Sequence, residues 1–100
     1  MILEFIEALD IGRPNKQRLL FRVIGKGSLF GHMVFTGSKH LYSFPLFEVN
    51  KGEFVVLYLT SGEQSSQKFP DAVCHFFYQG SWLCYWEEPA ETFRLIFRGS

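Results

Sequence analysis

Three histidines (His32, His40, His75) and two cysteines (Cys74, Cys84) are the side chains able to hold a metal or activate a nucleophile. Zinc sites take such residues at short spacings that one turn or one helix face brings together. No CxxC or HxxxH spacing occurs here, and the neighbours Cys74 and His75 would point to opposite faces of a strand. Cys–His catalysis would need His32 or His40 folded against a cysteine. The serines lie in turns and polar stretches, none of them in a G-x-S-x-G elbow. Glu87, Glu88 and Glu91 crowd a Pro-containing connector and read as a solvated turn rather than an acid–base pair. Gly25-Lys26-Gly27-Ser28-Leu29-Phe30-Gly31 fits neither the dinucleotide fingerprint nor the P-loop, and a strand rather than a helix N-terminus follows it. These residues predict no enzyme, no bound metal and no cofactor.

Aromatic residues are the second chemical resource. They make up 18% of the chain, twelve of them Phe. In a small domain such rings fill the core, expose a binding surface or pair across an interface. Phe76, Tyr78, Trp82, Tyr85 and Trp86 fall on a predicted hairpin and form the candidate interaction surface. The same rings could stack nucleic-acid bases, with Arg18, Arg22, Lys26 and Lys39 supplying charge. Ten basic residues are balanced by ten acidic ones, however, and nucleic-acid affinity normally rests on a basic excess. Nucleic acid is therefore the weaker partner expectation, and core packing is the preferred role for most of the rings.

The elements that must carry these residues read as β. The run Tyr42–Leu59 holds two strand-like segments, with Pro45 confining the first to an edge, an end or a bulge and Asn50-Lys51-Gly52 turning the chain. Upstream, residues 17–24 alternate well, Gly25–Ser28 makes a hairpin-like connection, and Leu29–Thr36 and His40–Phe44 follow around a Gly37 turn. Glu53–Thr60 is apolar on both faces, as for a central strand or one whose outer face meets a partner. Residues 61–71 form the longest polar stretch and are expected to be a mobile loop. Ala72–Tyr78 pairs with Trp82–Trp86, and Thr92–Arg98 closes the chain. Residues 2–10 fit a helix and a strand alike; the β character downstream favours the strand.

The chain of 100 residues is one domain by length, and its 47% apolar content is ample for one core. Glu4, Glu7 and Asp10 stand where a signal peptide would be basic and then apolar. No stretch approaches the roughly 18–20 apolar residues of a membrane helix. Neither a signal peptide nor a membrane span is expected, and no compartment is assigned. Two cysteines make no disulfide framework; Cys74 and Cys84 read as buried and reduced.

Phe44-Pro45, a spacer, and then Val49-Asn50-Lys51-Gly52-Glu53-Phe54-Val55-Val56-Leu57 resembles the lamin-tail domain. Glu4-Phe5-Ile6-Glu7 is similar to that family's first strand, and Ser28–Phe35 to its Leu- and Gly-containing strand. The usual Asn after the first strand is here Ala8-Leu9, and the usual aromatic after Gly31 is His32. The resemblance covers about residues 3–60. It implies an immunoglobulin-like β-sandwich without a catalytic centre, of the kind that mediates interactions in nuclear lamins or accompanies envelope-associated and secreted bacterial enzymes. No functional residue carries over.

The expectation is thus an all-β, immunoglobulin-like β-sandwich of about seven to eight short strands over residues 1–100, with a small OB-like barrel as the alternative. Its expected role is a non-catalytic protein-interaction or structural module, with a protein partner or self-association; the alternative is a barrel binding single-stranded nucleic acid. No small-molecule substrate is indicated.

Overall fold

The computed structural model describes residues 1–13, 16–80 and 93–98. Among them are ten strands and no helix: β1 (Leu3–Leu9), β2 (Arg18–Val23), β3 (Gly27–Ser28), β4 (His32–Thr36), β5 (Lys39–Ser43), β6 (Glu48–Val49), β7 (Phe54–Tyr58), β8 (Ser65–Lys68), β9 (Val73–Tyr78) and β10 (Phe93–Phe97). The all-β expectation holds, and the extra strands are short ones. No helix among the described residues is long and apolar enough to cross a membrane.

Five strands form one sheet in the order β1-β2-β7-β9-β8, and three form a second in the order β10-β4-β5. Both sheets are open rather than closed into a barrel. A two-rung ladder, β3 with β6, joins the two places where the chain changes sheet. The chain leaves β2 through β3 to reach β4, and it returns from β5 through β6 to reach β7. Gly25–Ser28 is therefore a sheet-to-sheet crossing and not a hairpin. The Asn50–Gly52 turn likewise joins β6 to β7, which do not pair with each other.

Period-two alternation builds the core between the sheets. Leu19, Phe21 and Val23 on β2 face inward beside Val55 and Leu57 on β7 and Phe77 on β9, all at most 1% exposed. Val34, Leu41 and Phe93 meet them from the three-stranded sheet. Phe44, just past β5, touches Phe21, Tyr42 and Phe77 edge-on at 5.8, 5.0 and 5.3 Å. Edge-to-face contact suits aromatic quadrupoles, so one ring ties the two layers together.

β1 explains its own ambiguity. Its register with β2 slips between Phe5 and Glu7, leaving Ile6 unpaired and 41% exposed. The inward residues are then Leu3, Phe5 and Ala8, a two-step followed by a three-step that imitates helical spacing. The polar stretch 61–71 is only partly a loop. β8 lies inside it, paired antiparallel with β9, while β9 runs parallel to β7. β9 is thus flanked on both sides at Cys74, His75 and Phe76. The expected pairing with Trp82–Trp86 falls outside the described residues.

Candidate functional site

The three histidines are dispersed, and each has a different setting. His32, on β4, is 1% exposed. Its Nδ1–H donates to the Leu29 carbonyl at 2.9 Å, which leaves Nε2 to accept the Ile2 N–H at 3.2 Å. Phe97 covers the ring at 4.6 Å. Burial pushes its pKa below the usual value of 6.5, the Leu29 carbonyl opposing only in part. This is a neutral, structural histidine with both nitrogens committed. His40 is exposed on β5 and sits 2.7 Å from the Ser43 hydroxyl. Among the described residues no three His, Cys, Asp or Glu side chains converge for a metal. Cys74 faces away from the core, half-buried, with burial raising its thiol pKa. Cys84 lies outside the described residues.

His75 differs from both. It points inward from β9, opposite to Cys74, and is 8% exposed. Its Nε2 lies 2.9 Å from Glu53 Oε1, and its Nδ1 lies 2.7 Å from Ser66 Oγ on β8. Glu53 closes the Asn50–Gly52 turn, where its Oε1 also accepts the Asn50 N–H at 2.9 Å. Burial pushes the Glu53 carboxyl up, but the Asn50 N–H and the His75 ring outweigh it and hold the pKa below the usual 4.5. An ionised Glu53 can only accept, so Nε2 carries the proton and donates. In the neutral ring Nδ1 is then the acceptor, and Ser66 O–H donates to it. Phe47 packs edge-on against the imidazole at 5.0 Å and restrains its plane.

The strand register places this trio. Ser66 pairs with His75 across β8 and β9. The Phe69 N–H donates to the Ala72 carbonyl at 2.7 Å, making that pair a hydrogen-bonded one. Antiparallel pairs alternate, so Ser66 and His75 form a non-hydrogen-bonded pair, whose side chains approach most closely. It follows that the backbone N–H and C=O of Ser66 point away from β9, along the edge of β8 that no other described strand pairs.

The candidate aromatic surface is only partly represented. Phe76 and Tyr78 are half-buried on the outer face of β9. Trp82, Tyr85 and Trp86 lie outside the described residues. Tyr78 stacks on Tyr58 at 5.2 Å and 12°, and Phe76 lies 6.3 Å from Tyr58. Arg18 and Arg22 share this outer face, with Arg18 6.0 Å above the Tyr58 ring. Both guanidiniums already hold carboxylates, Asp10 and Glu4, at 2.6 Å. The face is aromatic but electrostatically satisfied.

A second surface went unpredicted. A cleft of about 290 Å³ opens beside β4, lined by Phe30, Gly31, Met33, Ser43, Phe44 and Arg98. Phe30 is 66% exposed and Leu46 77%, the two most exposed large apolar side chains among the described residues. The register of β3 with β6, continued past the Leu29 N–H bond to Phe47, sets Phe30 and Leu46 opposite each other. Gly31, at φ +97°, lets the chain pass under Phe97 and Arg98, where a Cβ would stand 3.0 and 3.1 Å from their atoms. The Arg98 N–H bonds the Gly31 carbonyl at 2.8 Å, and its guanidinium makes no ion pair among the described residues. Isolated apolar residues in the sequence gave no sign of this cleft, because β10 arrives from the far end of the chain.

No family model, curated protein or solved structure matches the chain.

Proposed function

We propose that the chain is a protein-interaction module that binds an extended peptide at the cleft beside β4. The observation that carries this reading is the pairing of Phe30 and Leu46, the most exposed large apolar side chains among the described residues, with a cleft bordered by Arg98, whose guanidinium makes no ion pair among those residues. Exposed apolar surface of this kind marks interaction sites, and an aromatic beside an arginine is the usual composition of a binding hot spot. The cleft volume suits one apolar side chain, and Arg98 suits a neighbouring carboxylate. The favoured partner is thus a peptide with an apolar residue next to an acidic group or at its C-terminus. The lamin-tail resemblance of residues 3–60, with its immunoglobulin-like sandwich, points to the same class of function.

Amide chemical-shift titration with N-acetylphenylalanine tests the reading. Saturable shifts at Gly31, Met33 and Ser43 are expected, lost with Arg98→Gln and absent with the corresponding carboxamide. Equal responses to acid and amide, or none, would remove Arg98 and the cleft from the proposal.

A second reading, single-stranded nucleic-acid binding, draws on Tyr58, Tyr78 and Phe76 sharing a face with Arg18 and Arg22. The carboxylates already paired with those arginines count against it, since phosphate would have to displace them. Fluorescence titration with an oligonucleotide at two salt concentrations separates the two readings. Salt-dependent binding would favour nucleic acid.

A further inference from the structure

The trio at the β8 edge has the parts of an activated hydroxyl. We propose that Ser66 is a nucleophile, with His75 as its general base and Glu53 as the group that orients and stabilises His75, and that it accepts acyl groups from esters.

Three observations combine here. The distances, 2.7 Å from Ser66 Oγ to His75 Nδ1 and 2.9 Å from Nε2 to Glu53 Oε1, are those of a nucleophile–base–orienter chain. The polarity is right: ionised Glu53 accepts a hydrogen bond from Nε2–H, which leaves the Nδ1 lone pair facing the serine hydroxyl. The exposure is also graded in the useful direction. His75 is 8% exposed and Glu53 is largely shielded at 17% of its side chain, whereas Ser66 stands exposed on an open strand. A purely structural histidine such as His32 ends on backbone atoms at both nitrogens; His75 ends on a hydroxyl that solvent reaches.

The backbone supplies what the side chains lack. The Ser66 N–H is directed away from β9 toward the edge of β8 that no other described strand pairs, on the residue that carries the hydroxyl. An acyl carbonyl drawn to that edge accepts this N–H, which then stabilises the oxyanion that forms when Oγ attacks. Main-chain pairing along an exposed edge is an established way for extended groups to dock.

The step balances without a further reagent. Ser66 Oγ bonds to the acyl carbon while its proton passes to His75 Nδ1, and Glu53 faces the resulting imidazolium. The ester C–O bond then breaks, and His75 returns the proton to the departing alkoxide. The products are Ser66 O-acyl ester and an alcohol. Water activated by His75 repeats the sequence and yields the carboxylic acid and free Ser66. The inference does not depend on the cleft beside β4.

Incubating the full chain with p-nitrophenyl acetate, followed by intact-mass and peptide mapping, tests it. Wild type should release p-nitrophenolate in a burst of about one equivalent and carry one acetyl ester on Ser66. Ser66→Ala should lose the burst, and His75→Gln should slow it by about 10²-fold or more. Glu53→Gln should slow it by a smaller factor. Ser65, exposed on the same strand but without a histidine, is the internal control and needs no variant to fold. Preferential labelling of Ser66 over Ser65 supports the assignment. Equal labelling of the two, an undiminished burst in Ser66→Ala, or acetylation confined to Lys68 would overturn it.

Discussion

His75 and Glu53 stand 22 residues apart in the chain and 2.9 Å apart in space, joined across β9 and the start of β7. Parallel pairing of those strands sets Val55 beside His75 and so brings Glu53, at the turn, within reach of the ring. The contact is largely shielded from water, which makes it a stabilising element as well as a chemical one. Glu53→Gln should cost about 1–3 kcal/mol near neutral pH, the range for losing a charge-assisted hydrogen bond. Its pH signature is specific. Glu53 has a lowered folded-state pKa, so its contribution is complete above the unfolded value near 4.5 and drains away as pH falls through the folded value. Urea midpoints measured from about pH 6 to about pH 3 should fall less steeply for Glu53→Gln than for wild type. Parallel curves would show that the carboxylate adds nothing.

His32 gives a second pH dependence, with a different window. Its folded-state pKa is depressed, because the buried ring resists a charge and Nε2 is already an acceptor for Ile2. The unfolded chain therefore takes up this proton first. Stability from His32 is full above about pH 6.5 and declines as pH drops below it. Ring-proton NMR should show His32 titrating below the usual histidine range, and His32→Phe should flatten the decline between pH 6.5 and the carboxylate range. The variant also strands the Ile2 N–H, at a cost of about 1–2 kcal/mol, while the Leu29 carbonyl keeps the residue-32 backbone N–H at 3.1 Å.

The contrast between these histidines shows what the sequence could and could not express. Alternation located β2, β4, β7 and β9 within a residue or two at most ends, because each has one face against the core. β1 was ambiguous for a physical reason, since the bulge at Ile6 breaks its period. β8 was hidden because Ser65, Ser66, Gln67 and Lys68 are all exposed and carry no apolar signal. Its one clue was the Pro70-Asp71 pair, which has turn chemistry and sits between Phe69 and Ala72, the pair that closes the hairpin. Reading that turn fixes Ser66 opposite His75. Glu53 was beyond reach, because it needs the parallel pairing of β7 with β9, which local patterns do not encode. The cleft needs β10 beside β4, and nothing in either strand names its partner.

Phe44 should be among the costliest single truncations. It is 2% exposed and meets Phe21, Tyr42 and Phe77 edge-on, so Phe44→Ala removes contacts in both layers at once. A loss of about 3–5 kcal/mol is expected from the deleted surface and the cavity left behind. Phe30→Ala, at a side chain 66% exposed, should stay within about 0.5 kcal/mol. Equilibrium urea unfolding of the two variants gives the comparison directly. Similar losses would mean that Phe30 packs more firmly than its exposure indicates.

Gly62 is required by a ring rather than by its backbone angle. A Cβ built there would overlap Cδ2 and Cε2 of Tyr78 and stand 2.8 Å from its Cγ. Tyr78 has little room to retreat, because its other face stacks on Tyr58 at 5.2 Å with the planes 12° apart. Gly62→Ala must therefore lift the 61–64 segment or break the tyrosine stack, at a cost of about 1–3 kcal/mol. Shortening the obstacle should relieve it. In a Tyr78→Ala background the same glycine substitution should cost under about 0.5 kcal/mol, and a double-mutant cycle reads the difference as a coupling between the two sites. An unchanged cost in that background would place the strain elsewhere in the loop and clear Tyr78 of the clash.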